Sequence, residues 1–387
     1  RLERANGAPQ VGAVGTAAHI RIPDIGWDDG AGDAPADEGG STSTNFYNLG
    51  LSASWEIDLF GGQRRSNEAA RAQLDAADAS AADARVSLTA AVAQAYLEYR
   101  DRQQRLALAQ DMAARHERLL GFANQRYERG VATLRDVENA RLALESARQQ
   151  VAPLEADRVR FANALAILAG QAPGSVDGLL GPAAAIPLPP REIAVGDPEA
   201  LLRRRPDIRV AERRLAAETA RIGVAEAARF PRLSFMGILG IGGTRPADLV
   251  NLDDFTAIAA PMLQWNFLDF GRGKAQVGQA EAKRDEAEAA YRGTVLGALR
   301  DVEDALANFR AAREAVASRA RAEQSAAKLV ELASQRYEYG AGTQPALIEA
   351  ELAHDDAGQA LANARTQLTL SFVAIQKALG LGWSPAR

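Results

Sequence analysis

The sequence predicts a mainly α-helical chain that carries a pair of β-hairpins and is organised as an internal two-fold repeat. The first observation behind this is a pattern that recurs at a constant distance of 210 residues. Trp55, Phe60 and Gly61 return as Trp265, Phe270 and Gly271, the run Gln125 to Gly130 returns as Gln335 to Gly340, and Gly170 returns as Gly380. The second is that this spacing never slips over about 110 residues, whereas the loops of a globular repeat drift in length. Helices that must stay in register with neighbours along their whole length behave this way. The third is a change of hydrophobic period in each half, from the period of two of a strand to the longer period of a helix. The halves are assigned to residues 1–197 and 198–387.

Taken in order, Arg1 to Ala8 reads as the tail of a helix, and Val11 to Ile22 as an apolar first strand. A long acidic connection from about residue 23 to 43 suits an exposed loop. The clearest strand spans 44–60, where Asn48, Gly50, Ser52, Ser54, Glu56 and Asp58 alternate with Leu49, Leu51, Ala53, Trp55, Ile57 and Leu59. Its two faces are therefore one wet and one apolar. A helix with no obvious stop follows over 62–127, which at 1.5 Å per residue is roughly 100 Å long. Leu74, Ala81, Leu88 and Ala95 step by seven, with Ala77, Ala84 and Ala91 three residues on, which predicts a closely packed coiled-coil seam. A turn at Gly130-Val131-Ala132-Thr133 reverses the chain into a return helix ending near Gly170. Residues 171–197, with five prolines, read as a linker. Pro206 with Asp207 opens the next helix, and Phe230-Pro231 leads into a second hairpin, Leu233 to Ile241 and about 255 to 269. A second long helix over 272–337 reverses at Gly340-Ala341-Gly342-Thr343 and returns towards Gly380.

Composition narrows the function classes. Aromatics are only 6% of 387 residues and alanine supplies much of the 47% hydrophobic fraction, so long, closely packed helices fit better than a thick core. A net charge of -5, with arginines interleaved among acids, provides no basic face for nucleic acid. Cysteine is absent, and His19, His116 and His354 are isolated from one another, so no metal ligand set is expected. Gly240-Ile241-Gly242-Gly243 completes no phosphate-binding pattern and reads as a turn. No catalytic constellation is present, and neither enzyme activity nor a cofactor is expected.

No run of 18 or more apolar residues exists, which excludes a transmembrane helix on length. Half-apolar strands offer another route into a bilayer. Four strands do not close a barrel, and an open edge in lipid leaves backbone donors and acceptors unpaired. Three copies supply about twelve strands, a usual barrel size. Two hairpins that each feed a rod of this length read as a tube with a membrane-sized collar, a long coiled-coil α-helical barrel joined to a transmembrane β-barrel completed by trimerisation, and a soluble antiparallel sheet with one wet face is the alternative. On the strand, Ile57 and Leu59 are expected to face lipid and Ser54, Glu56 and Asp58 the aqueous lumen.

Several segments carry a family resemblance when taken together: Arg205-Pro206-Asp207-Ile208 followed by Ala211-Glu212, Ile222-Gly223-Val224-Ala225 leading to Phe230-Pro231, the Trp55 to Gly62 junction, the two Arg-Tyr-Glu-x-Gly tips, and Ala378-Leu379-Gly380-Leu381-Gly382-Trp383. In this order and duplicated, they make the chain resemble the outer-membrane efflux proteins, the TolC-like and OprM-like factors, and most closely the NodT-type lipoprotein branch. The resemblance implies a homotrimer in the bacterial outer membrane, with a periplasmic tunnel docked on an adaptor protein and an inner-membrane RND-type pump. It implies a passive exit duct for efflux. The exit duct of a type I protein-secretion system and a soluble coiled-coil scaffold are the competing readings.

The tips are where the resemblance places function. Arg126, Tyr127, Gly130 and Thr133, with Arg336, Tyr337, Gly340 and Thr343, match the periplasmic mouth and adaptor-contact surface. Glycine alone is what any tight helix reversal requires. By the same resemblance Tyr337 matches a gating tyrosine and Asp136 a gating aspartate, with Glu349 left from a second acidic pair. The pattern departs from relatives at Gly342, where some place an arginine, and at Ala346, where they place an acid. In a trimer, Asp136 and Glu349 each form a ring of carboxylates, which favours cations.

Overall fold

The computed structural model describes residues 2–23, 41–190, 204–250 and 255–380. Most of the acidic connection, the end of the linker, the start of the second half at 198–203, and Leu381-Gly382-Trp383 lie outside the described residues.

The elements in chain order are α1 (Leu2–Asn6), β1 (Gln10–Pro23), β2 (Ser41–Ile57), α2 (Gly62–Glu128), α3 (Leu134–Leu168), the short α4 (Asp177–Leu180), α5 (Pro206–Ala227), β3 (Arg232–Gly243), β4 (Phe255–Gln264), α6 (Arg272–Glu338) and α7 (Gln344–Ala378). The two long helices are both 67 residues and the two return helices both 35, and each starts and ends 210 residues after its counterpart. Glycines at positive φ recur at the same distance: Gly61 and Gly271, Gly130 and Gly340, Gly170 and Gly380. The duplicated glycines are thus the joints at which each half bends, positions where a side chain would be strained.

Contacts divide the chain into two compact units. One comprises Arg1–Ala77 and Ala211–Tyr291, the other Asp78–Val210 and Arg292–Arg387, so each unit draws on both halves of the sequence.

The first unit contains the sheet. Its order is β1-β2-β3-β4, with every neighbouring pair antiparallel. Each half contributes one hairpin, as expected, and the hairpins join through β2 and β3, where Leu51 stands opposite Leu239 and Trp55 opposite Phe235. Gly240 to Gly243 lie within β3 rather than in a turn. Gly50 and Gly242 explain part of that run: a Cβ on Gly50 would stand 2.2 Å from the Leu239 carbonyl oxygen, and one on Gly242 would stand 2.1 Å from that of Tyr47. Register puts Val11, Leu49, Leu51, Trp55, Phe235, Leu239, Phe255 and Leu263 on one face, and on the other Gly12, Ser52, Ser54, Glu56 and Ser234 together with the apolar Val14, Met236, Ile258 and Met262. Leu49 and Leu51 are 58% and 51% exposed, an unusual state for mid-strand leucines.

The second unit holds two cores that repeat each other. Ala95, Tyr99, Leu165 and Ala166 pack together in the first half, and Ala305, Phe309, Ile375 and Ala378 in the second. The expected linker is a packed strap over its described part. Val176 and Leu180 are buried in the first core, Arg100 donates to the carbonyls of Leu180 and Pro182 at 2.6 Å each, and Thr369 donates to that of Pro187 at 2.9 Å.

The seam of α2 differs from expectation. The buried alanines near its start are Ala69, Ala72, Ala76, Ala79 and Ala82, whereas Leu74, Ala77, Ala81, Ala84 and Leu88 are exposed, Leu74 by 61%. A helix in a wall has a neighbour on each side and carries two apolar stripes. Among the described residues the chain covers one stripe and leaves Leu74, Ala81 and Leu88 of the clearer heptad exposed, whereas Ala95, the last residue of that heptad, is buried in the first core as expected.

Candidate functional site

Both helix reversals are built from backbone hydrogen bonds that the sequence pattern dictates. At the first, the Val131 N–H reaches the Arg126 carbonyl at 3.0 Å and the Gly130 N–H reaches that of Tyr127 at 2.9 Å. At the second, Ala341 reaches Arg336 at 2.7 Å and Gly340 reaches Tyr337 at 3.0 Å. This paired bonding ends a helix on a left-handed glycine, here at φ 72 and 70. Thr133 and Thr343 then cap the return helices, accepting from the backbone N–H of Asp136 and Ala346.

Asp136 does more here than stand in solvent. Its carboxylate accepts from the Thr133 backbone N–H and hydroxyl, both at 2.8 Å, completing a capping box. The backbone N–H of Thr133, then its hydroxyl, hold the Asp136 carboxyl below its ordinary pKa. A depressed carboxylate pKa stabilises the folded helix end above the ordinary value, and that contribution is lost as pH falls through the lowered one. Protection of the Thr133 amide, taken relative to its intrinsic exchange rate at each pH, should therefore fall on acidification to below pH ~4, and Asp136→Asn should show the lower protection at neutral pH. Unchanged exchange in that variant would remove the cap from the account.

The remaining tip residues are displayed rather than tied. Arg126, Tyr127, Arg336, Tyr337 and Glu349 are exposed, with only long side-chain contacts among the described residues, from the Tyr337 hydroxyl to Gln344 at 3.4 Å and from the Arg336 guanidinium to the Ala341 carbonyl at 3.5 Å. Among the described residues, no hydrogen bond or ion pair links the two tips. Three exposed apolar tip residues were not singled out in the sequence: Val131, Leu134 and Tyr339, the last 87% exposed. Tyr339 was legible as the aromatic standing where the first tip has Arg129. At Gly342 a Cβ would approach the Arg336 and Tyr337 backbone to 3.1–3.2 Å, so this turn has little room for the arginine of some relatives.

What holds α2 to α7 lies behind the tips. Arg115 binds Asp355 at 2.6 Å and also bridges to Glu351, while Met112, Ile348 and Leu352 bury a small apolar cluster beside it. Burial works against the Arg115 charge, yet the bond and charge of Asp355, followed by Glu351, keep its pKa above the ordinary value. The residues of this clamp are more than 230 apart in sequence, and spacing alone does not reveal it.

At the other candidate site, Ser54 and Glu56 share one sheet face, as expected, but Asp58 does not join them. The strand ends at Ile57, and the Asp58 carboxylate accepts from the backbone N–H of Gln63 at 3.1 Å and of Arg64 at 2.9 Å, capping α2. Leu59 likewise lies past the strand. In the second half the cap falls one position later in the repeat, where Asp269 accepts from Gly271 and Gly273 at 2.9 and 2.7 Å. Phe270 beside it takes φ 51, a conformation its counterpart Phe60 does not need.

Comparisons with known proteins agree with this geometry. The family model described as outer membrane efflux protein matches residues 2–171 and 198–381. The outer membrane protein OprJ of Pseudomonas aeruginosa is 35% identical, covering 100% of this chain and 79% of its own. Nodulation protein T of Rhizobium leguminosarum bv. viciae is 31% identical over 99% of this chain and 79% of its own. Among solved structures, the outer-membrane channel OprN superposes with a TM-score of 0.86 at 32% identity, covering 99% of this chain and 84% of that one. With both halves matched, and with each hairpin feeding a 67-residue helix that reverses on a left-handed glycine, this chain belongs to the outer membrane efflux protein family.

Proposed function

We propose that three copies of this chain form the exit duct through which an inner-membrane pump and its periplasmic adaptor discharge small molecules across the bacterial outer membrane. The observation that carries this reading is the four-stranded sheet. One of its faces is exposed and apolar, and β1 and β4 are edge strands with no further strand partner among the described residues. Pairing β4 of one copy with β1 of the next satisfies those edges and encloses the face that carries Ser54 and Glu56. A soluble scaffold has no use for a face of this kind. No described helix is long and apolar enough to cross a membrane.

The tips form the periplasmic mouth in this reading. Arg126, Tyr127, Gly130 and Thr133, with Arg336, Tyr337, Gly340 and Thr343, meet the adaptor, while Asp136 and Glu349 face the conduit. The uncovered heptad of α2 packs on a neighbouring copy. Mass measurement in detergent should give three copies of the 41.1 kDa chain, about 120 kDa of protein. In planar bilayers Glu349→Gln should weaken cation preference, and Tyr337→Ala should raise conductance. A stable monomer free of detergent would overturn the duct, and unchanged selectivity and conductance in these variants would remove the two residues from the mouth.

A further inference from the structure

The junction between sheet and helices contains a cleft that the duct does not use. It has a volume of about 470 Å³ and lies beneath Phe60 and Phe230, whose rings stack at 4.7 Å and are about half exposed. Its polar lining is two arginines and two glutamates, Arg64, Arg65, Glu68 and Glu226. Half of these charges are already committed. Arg65 is bound to Glu68 at 2.7 Å, with its stem pressed on Gly223, where a Cβ would stand 2.8 Å from the Arg65 Cγ.

The other half is open. The Arg64 side chain is 77% exposed and meets only Asp58, at 3.4 Å, a carboxylate that the first backbone N–H groups of α2 already occupy. Glu226 has no side-chain hydrogen bond or ion pair among the described residues. One exposed cation, whose partner among the described residues is the already capped Asp58, and one exposed anion therefore line a single cleft together with the two stacked rings. That charge pattern matches a zwitterion and not a simple anion. A basic cluster without Glu226 would select net negative charge instead.

We propose that this cleft seats the headgroup of a glycerophospholipid of the phosphatidylethanolamine class, with Arg64 on the phosphate, Glu226 on the primary ammonium, and Phe60 and Phe230 against the glycerol and upper acyl chain. The inference rests on the membrane reading above and adds a lipid preference to it. A primary ammonium has N–H donors for the Glu226 carboxylate, and the quaternary ammonium of phosphatidylcholine has none. Discrimination between these two lipids is therefore the signature of the site.

The test is native mass spectrometry of the delipidated protein in detergent, with phosphatidylethanolamine, phosphatidylcholine or phosphatidylglycerol returned one at a time. Phosphatidylethanolamine should be retained about tenfold better than phosphatidylcholine, the scale of one charge-assisted hydrogen bond. Glu226→Gln should erase that preference, Arg64→Gln should lower retention of all three lipids, and Arg64→Lys should keep the preference. Arg64 and Glu226 are exposed, so the variants should melt with the parent. Equal retention of the two zwitterionic lipids, best retention of phosphatidylglycerol, or an unaltered preference in Glu226→Gln would each overturn the site. Conductance of the same proteins separates the two claims. A conducting channel without the lipid preference rejects the cleft alone, whereas a parent protein that never conducts rejects the duct.

Discussion

Placing Arg at Leu51 should cost the membrane-embedded sheet about 2–4 kcal/mol and sharply deplete assembled oligomer, whereas Arg at Ser52 should leave assembly near that of the parent. The two residues are adjacent in β2 and differ in the face they present. Leu51 stands between Ala13 and Leu239 on the apolar face, and Ser52 between Gly12 and Ile238 on the other. Depth is thus matched and only the environment changes. Arg at Ile57 is expected to cost only about 0–1 kcal/mol, because Ile57 closes the strand and lies beside the capping carboxylate of Asp58. Oligomer yield on gels, measured for the three variants together, decides the matter. Equal losses at positions 51 and 52 would reject the assignment of faces.

Arg115→Ala should produce the second large effect, a loss of roughly 2–3 kcal/mol read as a fall in melting temperature. The substitution leaves Asp355, whose side chain is only 10% exposed, without its ion-pair partner and beside Glu351, which keeps only the 4.0 Å contact of Arg118. Stranding partly buried carboxylates costs more than the intact pair contributes, and partial exposure keeps the figure below that of a fully buried pair. Replacing all three by apolar residues of similar volume should restore much of the loss. Ser325, which occupies the equivalent place in the second half, bonds only the carbonyl of Arg321, and its change to Ala should be nearly silent. If the clamp also restrains the mouth, Arg115→Ala should raise conductance. A variant that melts and conducts like the parent would reduce the clamp to a surface contact.

These two cases mark what the sequence could and could not reveal. Elements that repeat were legible, because a Gly at each joint and an alternation in each strand are local signals, and 210-residue spacing cross-checks them. The Arg115 clamp was not, since it couples α2 to α7 where the repeat is broken: Arg115 answers to Ser325, and Glu351 to Arg141. Tertiary ion pairs leave no periodic trace. The buried seam of α2 was missed for another reason. Leu74 and Leu88 make the more visible heptad, but alanines one stripe away carry the intrachain contact because they allow close approach. Asp136 and Asp58 illustrate a third limit. Thr-x-x-Asp at 133–136 is a local capping signature, and the same carboxylate that suggests a charged ring also serves its own helix end.

The unpaired edges of β1 and β4 also bear on inheritance. If each edge is completed only by another copy, a chain with a spoiled edge is not merely absent from the ring but opens the seam that this edge would close. In a cell producing sound and defective chains in equal amounts, random mixing into the proposed trimer leaves only about one assembly in eight without a damaged member. One faulty allele can then silence most of the product of a healthy one, although the faulty chain folds its helices and carries every residue of the mouth.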